Sequence, residues 1–188
     1  MKKSITYFEK PGPENTEYTI GLAHERALEL DIVDVVVAST HGGTALKAAE
    51  VFDDPRFNVT AVTISEGYEE EGWVMTEKER TTLQAKGIKV LTGIHALSGD
   101  VNQAFTKKFG GKAANEIVAQ TLYRFGQGMK VCVEIVLMAA DSGLIPVDRE
   151  VIAIAGTDEG ADTAIVVMPS YPRKFVELKI REIIAMPR

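Results

Sequence analysis

The 188-residue sequence is poor in cysteine, with Cys132 as its only one, and has three histidines. A lone cysteine can form no disulfide within the chain, and this chain alone cannot hold a multi-cysteine zinc site or an iron–sulfur cluster. Cys132 lies in an apolar stretch, so we expect a buried, unreactive thiol. No histidine pair or carboxylate cluster has the spacing of metal ligands, so we expect no metal site.

Long apolar runs and excess positive charge are also missing. No stretch approaches the roughly 18 uncharged apolar residues of a membrane span, and no apolar stretch follows the N-terminal lysines, as a signal peptide would require. Lysine and arginine number 21 against 27 acidic residues, a net charge of −6. This balance argues against nucleic acid or an anionic membrane as partner. We therefore expect a cytoplasmic protein.

The apolar residues that are present predict an α/β fold. Four continuous apolar runs are typical of buried parallel strands: Asp34–Ser39, Val59–Ile64, Lys89–Thr92 and Val151–Ala155. Between them lie helical patterns: Asn15–Leu30, Thr44–Phe52, a helix from the capping box at Thr76 to Gly87, Ala114–Phe125 and Lys130–Asp141. No repeat or low-complexity linker interrupts the chain, so residues 1–188 are predicted to form one domain.

The last 30 residues change period and predict two antiparallel strands, DTAIVVMP and FVELKIREIIAM, joined by a turn at Ser170–Arg173. The prediction is therefore a mixed, mostly parallel sheet with helices on both faces and an antiparallel hairpin at one edge. The exposed backbone groups of such a hairpin are compatible with a homo-oligomer.

Glycine and hydroxyl residues follow each of the four predicted parallel strands. In an open α/β sheet ligands bind beyond the carboxyl ends of the strands. The candidate binding residues after the four strands are, in order, Ser39, Thr40, His41, Gly42, Gly43 and Thr44; Ser65 and Gly67; Thr92, Gly93 and His95; Gly156, Thr157, Gly160, Asp162 and Thr163. The pattern predicts a site for a small phosphorylated ligand.

The first of these loops has the strongest case for an anion. Glycines let backbone N–H groups approach a ligand closely, and a helix N-terminus carries partial positive charge. We expect Gly42, Gly43 and Thr44 to lie nearest the anion. The alternative is that Thr44 only caps its helix and the glycines only make the turn. No lysine follows the glycines, so the loop is not a P-loop.

Each of the other candidates has more than one interpretation. Gly128, before a predicted helix, faces an anion or belongs to an ordinary turn. His41 and His95 contact the ligand, act as acid–base groups, or are surface polar residues. Glu134, the one acid in an apolar helix, faces the cleft or pairs with a buried partner. The acidic loop around Trp73 covers a flat ligand or is solvated surface.

The segment Val36–Ala45, a strand followed by Ser-x-x-Gly-x-Thr-Ala and a helix, resembles the phosphate-binding loop in the C-terminal domain of pyruvate kinase. Two positions depart from that loop. His41 stands where the loop usually has a serine, and Gly43 stands where it usually has a variable or basic residue. The whole chain is similar to a group of small stand-alone proteins, largely archaeal. They share the motifs HALSG, FGQG-x-KVCVEI, MAAD-x-GLIP, AIAGT-x-x-GADTA and LKI-x-EIIAMPR.

This resemblance implies the pyruvate kinase C-terminal fold and, for the stand-alone group, bound flavin mononucleotide (FMN) with no assigned reaction. Pyruvate kinase activity is not implied, because the catalytic barrel has no counterpart in the sequence. We expect a protein that binds FMN as cofactor. The alternatives are a flavin-dependent oxidoreductase, a non-catalytic sensor of a sugar phosphate or nucleotide, and a transferase or hydrolase that uses His41 or His95. The pyruvate kinase precedent also agrees with a homo-oligomer.

Overall fold

A computed structural model describes residues 2–188 and contains one seven-stranded sheet. The strands are β1 (Thr6–Phe8), β2 (Asp34–Ala38), β3 (Asn58–Val62), β4 (Lys89–Leu91), β5 (Val151–Ala155), β6 (Thr163–Met168) and β7 (Lys179–Pro187). The helices are α1 (Thr16–Leu30), α2 (Gly43–Val51), α3 (Glu77–Ala85), α4 (Val101–Phe109), α5 (Ala114–Leu122) and α6 (Gln127–Asp141). Short 3₁₀ turns occupy Pro13–Asn15, Glu66–Tyr68 and Pro172–Glu177.

The strand order is β1-β7-β6-β5-β2-β3-β4. Strands β5, β2, β3 and β4 are parallel, and β6 is antiparallel to both β5 and β7. The predicted mixed, mostly parallel sheet is therefore confirmed. One detail differs: β1, which is only three residues long, pairs with β7 and lies outside the predicted edge hairpin.

The connection between β6 and β7 is longer than the predicted turn at Ser170–Arg173. The 3₁₀ segment Pro172–Glu177 fills it, and β7 begins at Lys179 rather than at Phe175. The Phe175 side chain packs against the core formed by α6. Burying this ring holds the segment on the face of the sheet and out of the strand.

Each face of the sheet is covered by its own helices. Val35 and Val37 belong to the core under α1, α2 and α3, whereas Val36 between them belongs to the core under α5 and α6. This is the alternation of side chains along a strand, and it explains why the consecutive residues Val35, Val36 and Val37 are all apolar. Helix α6 is buried along nearly its whole length, as its sequence predicts.

The parallel strands end at one side of the sheet, which we call the carboxyl edge, and we call the space between the loops that follow β2, β3 and β4 the crevice. After β2 and β3 the chain turns to the face with α2 and α3, and after β4 it turns to the opposite face. In open α/β sheets, ligands usually bind where neighbouring loops diverge in this way. Among residues 2–188, no helix is long and apolar enough to cross a membrane.

Candidate functional site

The loop after β2 is held by Ser39, whose buried hydroxyl accepts a hydrogen bond from the Ala45 N–H over 3.2 Å. Ser39 thus caps α2, because the N-cap residue Gly42 has no side chain to do so. Thr44 lies inside the first turn of the helix and does not supply the cap. The first backbone hydrogen bond of α2 runs from Leu46 N–H to the Gly42 carbonyl, so the amides of Gly43 and Thr44 precede the intrahelical ladder.

The two glycines of this loop differ in why they are glycine. Gly42 has φ +87° and lies against the side chain of Leu83, so both its backbone and its surroundings exclude a side chain. Gly43 has no positive φ, and no heavy atom lies within 4 Å of the place where its Cβ would be. Gly93, after β4, is equally open. The fold itself therefore gives no reason for glycine at positions 43 and 93.

Hydrogen bonds among two threonine hydroxyls and an arginine connect the loops after β3 and β4. The Thr63 and Thr92 hydroxyl oxygens are 2.6 Å apart, and Arg80 Nη2 donates to the Thr92 hydroxyl over 2.7 Å. Arg80 lies on the first turns of α3, which start at the carboxyl edge. This brings a guanidinium group to the end of β4, where it can attract an anion.

An aromatic stack crosses the crevice from the loop after β3 to the loop after β4. The Tyr68 ring stacks on Trp73 with centroids 5.8 Å apart and on His95 at 6.4 Å. Ser65 and Gly67 belong to the 3₁₀ turn that carries Tyr68. The acidic loop is thus exposed, as one interpretation held, and its aromatic rings stack on one another; whether they cover a ligand stays a prediction.

His41 points away from this stack, toward the start of α3. Its Nδ1 lies 3.4 Å from the Glu79 carboxylate, and its side chain is about half exposed. Glu79 is the acid of the predicted capping box with Thr76, which the structure confirms. The Thr76 N–H holds the pKa of Glu79 below its ordinary value, with smaller contributions from the Thr76 hydroxyl and His41. A pocket of about 290 Å³ opens beside His41 between α2 and α3.

The loop after β5 is held by internal hydrogen bonds and by packing against the start of α1. The fully buried Asp162 carboxylate accepts hydrogen bonds from the Gly12 and Thr157 N–H groups and from the Thr163 hydroxyl. A Cβ at Gly160 would lie 2.3 Å from the Thr16 hydroxyl oxygen. This loop therefore binds the start of α1.

Gly128 and Gly156 also owe their identity to close packing. A Cβ at Gly128 would lie 2.2 Å from the Thr163 hydroxyl oxygen, and one at Gly156 would lie 2.7 Å from the Gly160 carbonyl oxygen. Gly128 lets α6 approach β6, and Gly156 lets the two ends of the loop after β5 lie close together. Packing therefore accounts for Gly128 at the start of α6 and for Gly156 and Gly160 after β5. These glycines are required whether or not a ligand contacts them.

A buried polar cluster lies below the aromatic stack, on the first turns of α6. The Lys130 ammonium group contacts the Glu134 carboxylate at 2.5 Å and donates to the Ser98 hydroxyl over 2.8 Å. Glu134 also accepts from the Leu97 N–H at 2.9 Å and lies 3.9 Å from His95 Nδ1. Of the two interpretations of Glu134, the structure thus shows a buried partner.

The geometry brings together the loops after β2, β3 and β4. The Ser39 N–H donates to the Val62 carbonyl, and the Thr63–Thr92 and Tyr68–His95 contacts join the next two loops. The loop after β5 shares the edge but turns toward α1. Sequence reasoning missed Arg80, Thr63 and Lys130. The position of Arg80 just after a capping box, and the i, i+4 spacing of Lys130 and Glu134, are the signals that point to them.

A second cavity, of about 520 Å³, lies away from this edge, between α1 and β7, and is crossed by the Arg26–Glu182 ion pair. Within residues 2–188, no group of three or more potential ligand side chains is arranged to hold a metal ion.

Residues 17–167 match the family model described as pyruvate kinase, alpha/beta domain. Among solved structures, the chain is similar to a pyruvate kinase from Cryptosporidium parvum, with 14% identity and a TM-score of 0.43 over 86% of this chain and 23% of that one. The complex of the C. parvum enzyme with ADP matches with 14% identity and a TM-score of 0.41 over 91% of this chain and 23% of the other. The chain thus spans less than a quarter of the length of these pyruvate kinases.

Proposed function

Since the chain belongs to the family of the pyruvate kinase α/β domain, we propose that it binds a phosphorylated small molecule, FMN, at the carboxyl edge. The observation that carries this proposal is the open position of Gly43 at the start of α2. A glycine costs conformational entropy, and neither φ nor packing requires one there. Unlike Gly21, an equally open glycine inside α1, Gly43 stands at a helix N-terminus with amides outside the intrahelical ladder, where a ligand that approaches the backbone closely accounts for it.

The phosphate binds at Ser39–Thr44. The amides of Gly43 and Thr44 are available as donors at a helix N-terminus, whose partial positive charge favours an anion. Ser39 fixes the loop through Ala45. The Arg80 guanidinium, two strands away, adds positive potential at the same edge.

The flat ring of FMN fits the other end of the crevice. The strand ends of β2 and β4 are two strand spacings apart, about 10 Å, which suits a ligand whose ring and phosphate are separated by a ribityl chain. The stack of Trp73, Tyr68 and His95 offers aromatic faces to a planar ring. Bound FMN supplies redox chemistry, and the protein supplies orientation and exclusion of water.

Two measurements test the proposal. The absorbance spectrum of protein purified without added cofactor, with identification of any molecule released on denaturation, is expected to show FMN. Calorimetric titration is expected to give tighter binding for FMN than for riboflavin, which has the ring but no phosphate. Absence of flavin binding, together with tight binding of a sugar bisphosphate, would instead favour the sensor function.

A further inference from the structure

We propose that His95 is an acid–base group at the carboxyl edge and that Glu134 is its positioning residue, so that the molecule bound there undergoes a proton transfer. This deepens the proposed function in that it requires a ligand at this edge, but it does not require that the ligand be FMN.

The buried ion pair of Lys130 and Glu134 is the starting point. Both residues are 3% exposed, in a helix that is otherwise apolar where it packs on the sheet. Replacing a buried ion pair by apolar residues is often neutral or even stabilising. Stability alone therefore does not explain why two charges are kept here.

The two oxygens of Glu134 have different surroundings. Oε1 accepts from the Leu97 N–H and the Ser98 hydroxyl, which ties the loop after β4 to α6. Oε2 faces the Lys130 ammonium and His95 Nδ1. A glutamine could make the tie through its carbonyl oxygen equally well. Only the contacts of Oε2 call for a carboxylate.

The arrangement around His95 is that of an oriented imidazole. Its Nδ1 lies 3.9 Å from Glu134 Oε2, beyond a direct hydrogen bond, but a negative charge at this distance still favours a proton over a lone pair on Nδ1. A carboxylate at Nδ1 selects the tautomer with the proton on Nδ1 and leaves Nε2, on the other side of the ring, free to accept a proton. The stacked ring of Tyr68 limits rotation of the imidazole.

The surrounding charges support this role. Lys130 already balances Glu134, so the His95 ring does not need to be charged to sit beside the carboxylate. Burial raises the pKa of the nearby Tyr123 hydroxyl, with a smaller contribution from Glu134. The Tyr123 side chain that borders the cluster is therefore uncharged. The His95 side chain is 16% exposed, so part of the ring remains accessible.

The chemical step is a single proton transfer. The Nε2 lone pair of neutral His95 takes the proton of an acidic O–H, N–H or activated C–H bond, and the electron pair of that bond stays on the ligand atom. The resulting imidazolium is stabilised by Glu134. Return of the proton to the ligand, or its release to water, restores the neutral imidazole. The substrate class is a phosphorylated molecule whose acidic group lies about 10 Å from its phosphate, the spacing from β2 to β4.

Nitrogen-detected NMR of the histidine rings in the ligand-free protein, above the pH at which they are charged, tests this. We expect His95 in the Nδ1–H form in the wild type and in the Nε2–H form in Glu134→Gln, whose amide NH₂ would face Nδ1. Should Glu134→Gln fold poorly beside Lys130, the double variant with Lys130→Met removes that conflict. His41, paired with the exposed Glu79, is the matched control and should be the same in all three proteins.

A His95 tautomer that is Nε2–H in the wild type, or that is the same in wild type and Glu134→Gln, would overturn the inference and leave Glu134 as a structural tie. The experiment contains no ligand, so it stands apart from FMN binding. The expected tautomers without any FMN affinity would refute only the choice of FMN. FMN binding with the wrong tautomer would refute only the role of His95.

Discussion

Placing a negative charge at Gly43 is the sharpest test of where the phosphate binds. Gly43→Asp should fold, because no heavy atom lies within 4 Å of the new Cβ and φ is not in the left-handed region. An acidic residue in the first turn of α2 is also favourable for the helix. The substitution therefore changes the charge of the site without a steric or conformational penalty.

The size of the effect follows from the position. Two unit charges about 4 Å apart repel by about 4 kcal/mol at an effective dielectric of 20 and by about 1 kcal/mol in bulk water. Gly43 is exposed in the ligand-free structure, and a bound ligand would displace part of its water. We expect FMN affinity to fall by between about fivefold and about a thousandfold.

Calorimetric titration of FMN and riboflavin into wild type and variants measures this. Gly43→Ala adds the same Cβ without the charge and should weaken FMN binding, because the ligand approaches the backbone there, but less than Gly43→Asp does, so the difference between the two variants measures the charge alone. Gly21→Asp places the same charge on α1, at another glycine with nothing within 4 Å, and should also bind FMN normally. Riboflavin should bind weakly to all four proteins and respond little to Gly43→Asp.

Two results would refute this reasoning. If Gly43→Asp and Gly43→Ala bind FMN equally well, the phosphate does not lie at the start of α2. If riboflavin and FMN bind wild type with equal affinity, the phosphate contributes nothing, and the loop after β2 serves only to turn the chain.

Three further predictions concern stability and reactivity. Gly128→Ala should destabilise the protein by about 1–3 kcal/mol in denaturant unfolding, because its Cβ would overlap Thr163; unchanged stability would show that α6 can shift away from β6. Cys132 should react with a thiol reagent far more slowly in the native than in the unfolded protein, since it is fully buried and burial raises the pKa of its thiol; equal rates would contradict the assigned core. Hydrogen bonds from Arg26 hold the pKa of Glu182 below its ordinary value near 4.5, so this pair stabilises the fold above that pH and loses its contribution as the pH falls. The unfolding free energy of Glu182→Gln should therefore fall less than that of wild type between about pH 5 and pH 3. If the unfolding free energies of the two proteins change equally with pH, the ion pair does not stabilise the fold.

Much of the fold could be predicted from the sequence because the decisive signals are local. A run such as Val35–Val37 is apolar at every position, which suits only a strand covered on both faces. The capping box at Thr76 and the apolar α6 are equally local patterns. Strand β1 was missed because three residues carry no periodic signal, and α4 because none of its side chains is buried.

The sequence also placed glycine and hydroxyl residues at the ends of the parallel strands, since each follows an apolar run directly. It could not separate glycines with different physical causes. Gly128 and Gly160 look like Gly43 and Gly93 in the sequence, but only the first two would have their Cβ inside another group. That distinction depends on which segments pack together.

Tertiary structure alone decided which polar groups meet. Arg80 reaches Thr92, and Glu134 reaches Leu97, because β4 lies beside β3 at the carboxyl edge and α6 covers the opposite face from α3. Strand order and the choice of face for each crossover arise from packing of the whole sheet, and no local pattern encodes them. The sequence by itself therefore determined the class of fold and indicated the edge at which we propose a ligand, whereas the contacts that give His95, Glu134 and Arg80 their surroundings came only from the assembled sheet.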